Sequence, residues 1–269
     1  MFFKYKDYDV HYEVHGQGEA ILILNGIMMS TKSWTEFIEP FTAHNQLILV
    51  DFIGQGQSSR EYDQFYHDLQ VDLVEALLNH LNLSKVHLFG ISYGGEIALQ
   101  YVLKYPDRVD KLFLSNTPPN TSYWLEEVGN AWNEAAHSGL AYYLTTIPII
   151  YSPKFFVENK EWMEKRKEIL VPLFNDKDFI NSMKVLTNSS VGFDVRERLS
   201  EIKQQTMILS CEYDFVTPSY QQKELAAGIK NSQLVFVPDS GHGIMYEKPI
   251  LFTSLVTGFF NHDKERYNL

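Results

Sequence analysis

Gly90-Ile91-Ser92-Tyr93-Gly94 sets a serine between two glycines at G-x-S-x-G spacing. The apolar run Val86-His87-Leu88-Phe89 precedes it, and a helix-like stretch, Glu96 to Leu103, follows. A strand that turns sharply into a helix around one serine forces that residue into a strained backbone conformation. The flanking positions must lack bulk for the turn to close, which is what glycine supplies. The hydroxyl is then pushed out at the carboxyl end of a sheet, beside a helix N-terminus whose free N–H groups can stabilise an oxyanion. At ordinary Gly and Ser usage a chain of this length shows the pentapeptide by chance about one time in ten, so its context carries the reading.

Outward from this turn the chain alternates. Short strands are read at Phe2–Tyr5 and Val10–Val14, with a turn near Asp7-Tyr8. Ala20–Leu24, Leu47–Val50 and Val86–Phe89 are continuous apolar runs, as strands buried on both faces require. Val109–Leu114, Thr206–Ser210 and Leu234–Val237 complete eight strands. Trp34–Phe41, Leu69–Leu81, the segment after Ser92, Gln221–Ile229 and Ile250–Phe260 have helical spacing. Strands alternating with helices predict an α/β fold, a mostly parallel eight-stranded sheet flanked by helices.

From about Pro118 to Asn188 the alternation stops. This stretch is rich in Trp, Tyr, Phe, Glu and Lys, has helical spacing, and is divided by Pro148 and Pro153. It predicts a helical cap, residues 118–188, inserted after the sixth strand, with the core formed by 1–117 and 189–269. Both ends join strands at the side that carries Ser92, so the cap should lie over the serine.

The 269 residues suffice for such a core without disulfide staples, and 45% hydrophobic with 21% charged residues is ordinary globular composition. The lone Cys211 sits in an apolar run and reads as a core residue in a reducing compartment. A net charge of −11 argues against nucleic acid and anionic membranes as partners. The N-terminus lacks the pattern of a signal peptide, and no apolar run is long enough to span a bilayer, so a cytoplasmic protein is expected. No metal is expected, because no histidine–cysteine cluster has ligand spacing, and His11 and His15 are read as solvent-facing. The glycines Gly54 and Gly56 lack a third partner where Ser59 stands, so with Asp51 they are read as a tight loop beneath the site rather than a dinucleotide fingerprint. No cofactor is called for.

A serine hydroxyl near neutral pH needs a base within hydrogen-bond reach, and the base needs an orienting acid. Among nine histidines, His242 stands out in Ser240-Gly241-His242-Gly243, directly after the last strand; most of the others read as surface residues. The acid should follow the preceding strand, where Asp214, and less well Glu212, are available. An aspartate there is also a common turn or cap residue. Three side chains in the order Ser…Asp…His, each just past a strand, weigh more than any one of them.

Leu24-Asn25-Gly26-Ile27, Asp51 to Ser58, Gly90 to Gly95, Tyr105-Pro106-Asp107-Arg108-Val109, Asp214 and Gly241-His242 together resemble the α/β-hydrolase superfamily over nearly all of the chain outside the cap. The resemblance implies Ser92 as nucleophile, His242 as general base and Asp214 as its partner. It implies oxyanion donors at the backbone N–H of Tyr93 and of Ile27, with Met28 as the alternative to Ile27. The family usually has His-Gly where this chain has Asn25-Gly26; asparagine can also hydrogen-bond locally in a tight turn. The Asn-Gly start also resembles some acyltransferase-like members.

The expected activity is cleavage of a carboxylic ester or thioester of a hydrophobic small molecule through an acyl-enzyme. Met28 in the apolar oxyanion loop, and Trp124 and Tyr143 in the cap, are candidate substrate-binding residues. The alternatives are an acyltransferase or thioesterase acting on carrier-bound chains, or a ligand receptor that keeps the triad. The expected partner is a small-molecule ester-like substrate, without membrane insertion; a homodimer is allowed.

Overall fold

A computed structural model of the chain describes residues 1–61 and 63–261. Its eight strands are β1 (Phe2–Tyr5), β2 (Tyr8–Gly16), β3 (Glu19–Leu24), β4 (Asn45–Val50), β5 (Val86–Ile91), β6 (Val109–Ser115), β7 (Gln205–Tyr213) and β8 (Ser232–Gly241). They form one sheet in the order β1-β2-β4-β3-β5-β6-β7-β8. β1 pairs antiparallel with β2, and β2 with β4; every other pairing is parallel. The continuous apolar runs have the expected cause. Alternate side chains of each central strand point to opposite faces, and both faces are covered. Leu22, Leu24, Ile48, Val50 and Leu88 join one core, while Ile21, Ile23, Leu47, Leu49 and Phe89 join the other.

Helices α1 (Ile38–Thr42), α2 (His67–His80) and α3 (Tyr93–Lys104) follow β3, β4 and β5 in turn. α2 and α3 cover the first face through Val71, Val74, Leu77, Ile97 and Leu99. Trp34, Phe37 and Phe41 cover the second, with a late helix described below. The helix expected over Trp34–Phe41 is instead a 3-10 segment, Thr31–Phe37, running into the five-residue α1. Pro40 has no N–H to bond back to residue 36, so regular α-helix cannot run through this stretch.

Between β6 and β7 lie α4 (Tyr123–Ala135), α5 (Gly139–Ile150), α6 (Pro153–Glu158), α7 (Lys160–Phe174) and α8 (Lys177–Ser189). Pro153 opens α6, but Pro148 does not divide the insertion: it lies inside α5, two residues before the helix ends. The chain closes with α9 (Ser219–Gly228), α10 (Ile244–Glu247) and α11 (Pro249–Asn261), whose Phe252, Val256 and Phe259 complete the second core. Among the described residues no helix is long and apolar enough to cross a membrane.

Candidate active site

Ser92 stands between β5 and α3 with φ 53° and ψ −123°, a region that residues other than glycine rarely enter. Its own N–H donates to Ser115 O at 2.9 Å, and its carbonyl accepts from Gly95 N and Glu96 N, so the strained residue is held at both ends. The flanking glycines are required sterically. A Cβ on Gly90 would come within 2.6 Å of Gly94 O, and one on Gly94 would run into the Leu24 carbonyl. Sheet and helix meet too closely here for any side chain.

Two loops further along the sheet edge carry Asp214 and His242. Asp214 Oδ2 lies 2.8 Å from His242 Nδ1. Both side chains are buried, and the aspartate accepts four further hydrogen bonds. Val216 N and Thr217 N donate to Oδ1 at 2.9 and 2.8 Å; Asn116 Nδ2 and Thr217 Oγ1 donate to Oδ2 at 2.7 and 2.9 Å. These bonds fix the carboxylate's orientation and aim Oδ2 at the imidazole Nδ1, where it can accept a hydrogen bond from that nitrogen. Nε2 has no hydrogen-bond partner among the described residues, and His242 lines one cavity together with Ser92. Glu212 is elsewhere, accepting from Asp239 N on the sheet edge.

The His242 loop is tied down by Glu247 on α10. Glu247 accepts from Gly241 N at 3.1 Å and from the Ser152 backbone and hydroxyl at 2.8 and 2.7 Å. Gly243 N donates to Ile150 O. The inserted helices therefore brace the histidine loop.

Asn25 replaces the family's usual histidine with a bonding pattern of its own. Its amide donates to Val50 O at 2.8 Å, and its Oδ1 accepts from Trp34 Nε1 at 2.7 Å. Gln55, in the glycine loop after β4, donates to Gly26 O at 2.9 Å and Ile27 O at 3.2 Å. These bonds hold the loop carbonyls on the Gln55 side. The N–H groups of Ile27, Met28 and Tyr93 have no acceptor among the described residues. Asp51 accepts from Thr31 N and Gln57 N, a bracing role beneath this loop.

Two cavities meet at Ser92. One, of about 110 Å³, is lined mainly by apolar groups, among them Met28, Met29, Ile147, Leu170 and Met245, together with His242 and Arg166. The Arg166 guanidinium lies over Tyr246, Trp162 and Tyr151 at 4.6, 5.1 and 5.9 Å from the ring centres, and its Nε is buried without an acceptor among the described residues. The other, of about 290 Å³, is more polar and is lined by Glu96, Glu126, Asn133, Asn188 and Ser190 as well as Tyr93 and Trp132.

Of the three residues expected to contact substrate, Met28 lines the smaller cavity. Trp124 and Tyr143 line neither. Trp124, in the first turn of α4, is half exposed and donates its indole N–H to Phe215 O at 2.9 Å. Tyr143 is buried inside the inserted helices, its hydroxyl directed at Met163 O. Trp132, two turns after Trp124, lines both cavities instead.

The histidines also need correction. His11 is buried rather than solvent-facing, 3.0 Å from Asp51 Oδ2, because β2 lies over the Asp51 loop. His15 is half-buried beside Glu13. His67 and His87 are buried too, and His262 lies outside the described residues. His67 Nε2 is 3.4 Å from Glu96 Oε2, and Ser190 Oγ donates to the same oxygen at 3.0 Å. Burial drives both groups toward their neutral forms: the Glu96 carboxyl is pushed up to about 8 and the His67 imidazole down to about 3. Cys211 is buried, which pushes its thiol up to about 12 and leaves it unreactive.

The family model for the alpha/beta hydrolase fold matches residues 19–249. A putative carbamate hydrolase, RutD of Azorhizobium caulinodans, is 27% identical over 257 residues, covering 94% of this chain and 95% of that protein. The 2-hydroxy-6-oxononadienedioate/2-hydroxy-6-oxononatrienedioate hydrolase of Escherichia coli (strain K12) is 27% identical over 267 residues, covering 93% and 90%. Among solved structures, MGS-M2, an alpha/beta hydrolase enzyme from a Medee basin deep-sea metagenome library, superposes with a TM-score of 0.97 at 44% identity over the whole of both chains. Sheet order, serine turn and these matches together make the chain a member of the alpha/beta hydrolase fold family.

Proposed function

We propose that the chain is a serine hydrolase that cleaves a carboxylic ester through an acyl-enzyme. Family membership carries the coarser statement, a hydrolase. The ester reading rests on one observation above the others: His242, paired with a fully hydrogen-bonded Asp214, lines the same cavity as the strained Ser92. In this reading His242 Nε2 takes the Ser92 proton as Oγ attacks the carbonyl carbon. The N–H groups of Tyr93 and Ile27 hold the resulting oxyanion, each worth about 3 kcal/mol of barrier. His242 then gives the proton to the leaving alkoxide. Water, deprotonated by the same nitrogen, attacks the acyl-enzyme and releases the acid.

The smaller cavity takes the acyl group. Its apolar walls suit a short hydrocarbon chain. A panel of p-nitrophenyl esters tests this: butyrate and hexanoate should turn over faster than acetate or dodecanoate. Ser92→Ala should lower turnover by about 10⁴-fold or more while the protein stays folded. Undiminished ester cleavage by that variant would refute the assignment.

Arg166 favours a second reading, C–C bond hydrolysis by the same residues. A guanidinium with an unmatched buried Nε can hold a carboxylate at the far end of an acyl chain. The Escherichia coli relative, by its name, acts on a dioate. Under that reading Arg166→Gln should depress turnover of carboxylate-bearing substrates and spare p-nitrophenyl butyrate.

A further inference from the structure

The two cavities beside Ser92 share three lining residues: Ile27, Ser92 and Trp132. An ester that places its acyl group in the smaller cavity must cross at these residues and project its leaving group into the larger one. The walls of that larger space differ in kind. Among the described residues no Lys, Arg or His lines it, while two carboxyl side chains do.

Glu96 is only 4% exposed. Its Oε2 is engaged by Ser190 and lies near His67, but Oε1 has no partner among the described residues. Glu126, half-buried in the first turn of α4, has no side-chain hydrogen bond or ion pair among the described residues. Trp132 is 6% exposed, and its buried Nε1–H has no acceptor among the described residues. A buried donor left without an acceptor is costly, and one at the junction of the cavities suits the ester oxygen that passes there. Trp132 and Tyr93 also line this space.

We infer that the larger cavity is a leaving-group site selective for an alcohol that carries an ammonium group, held by Glu126 and Glu96 against the rings of Trp132 and Tyr93. This rests on Ser92 acting as the nucleophile. A cation offsets the cost of ionising Glu96 in its buried position, which a neutral group does not.

The test compares butyrylcholine with 3,3-dimethylbutyl butyrate, which has the same shape and acyl group but no charge. The chain should favour the choline ester in kcat/KM by about tenfold. Glu126→Gln and Glu96→Gln should each cut that ratio several-fold, whereas Glu158→Gln, at an exposed position that lines neither cavity, should leave it unchanged. Glu126 is half-buried, so its variant keeps the test valid if Glu96→Gln fails to fold. A ratio of one or below overturns the inference, and so does a ratio indifferent to both glutamates. Faster cleavage of glycerol monobutyrate than of the choline ester also overturns it, and reassigns the cavity to hydroxyl groups. If no ester is cleaved, the ester reading itself fails. The cavity is then read without turnover, by calorimetry of choline against 3,3-dimethylbutanol on the Ser92→Ala protein. Tighter choline binding supports the inference, and equal or weaker binding overturns it.

Discussion

Asp214 accepts five hydrogen bonds, and that number makes its role testable by a minimal change. Asp214→Asn keeps the shape but places an amide where a charge should stabilise the imidazolium. We expect kcat to fall by about 10³-fold or more, with little change in KM; a fall below tenfold would mean that the carboxylate only shapes the loop. Glu96 gives a second prediction. In the folded chain its carboxyl stays protonated up to about pH 8, whereas in the unfolded chain it ionises near its ordinary value of 4.5. Between those values the folded state binds more protons, so stability falls as pH rises. His67 works in the opposite sense, adding stability with rising pH from about 3 to its ordinary 6.5. The two effects oppose each other at acidic pH, and above 6.5 the Glu96 effect remains. Denaturant unfolding should therefore show the parent losing stability as pH rises from 6.5 to 8, with a clearly smaller loss in Glu96→Gln. A parent equally stable at both pH values contradicts this.

At the scale of elements, the site depends on braces that join distant parts of the chain. Glu247 on α10 holds both the His242 loop and the start of α6. Glu247→Ala leaves three donors without an acceptor and loosens the histidine. Turnover of p-nitrophenyl butyrate should fall between about tenfold and a hundredfold, mainly in kcat. A change confined to KM would assign Glu247 to substrate binding instead. The strands and the serine turn were legible because their signals are local: apolar runs of four to six residues, and glycines forced by close approach. The same holds for Asp214 and His242, each placed just past a strand. Gln55, Asn116 and Glu247 were not legible. Gln55 acts on a loop 29 residues away, Asn116 on Asp214 98 residues away, and Glu247 on Ser152 95 residues away. Nothing in their own neighbourhoods announces these bonds. Trp124 misled for a related reason. It shares a helix with Trp132, but its place in the first turn carries it outward to the β7–α9 loop, while Trp132 reaches the cavities.

Over the whole molecule, the inserted helices are continuous with the sheet's first core. Tyr142, Tyr151, Met163 and Phe174 belong to the same buried cluster as Leu88 and Ile97. Trp34 reports on the opposite core, and Trp132 and Trp162 report on the insertion. Heat or denaturant should therefore unfold the chain in one step, with tryptophan fluorescence and far-ultraviolet dichroism giving coincident midpoints. Separate midpoints would show an insertion that folds on its own. The central claim is the joint action of Ser92, His242 and Asp214 on a carbonyl carbon. The most direct measurement is labelling with a fluorophosphonate, followed by mass mapping of the modified residue. The parent should carry a single label on Ser92, Ser92→Ala should carry none, and His242→Ala should label at least about a hundredfold more slowly. A label on another residue, or undiminished labelling without His242, would contradict the account.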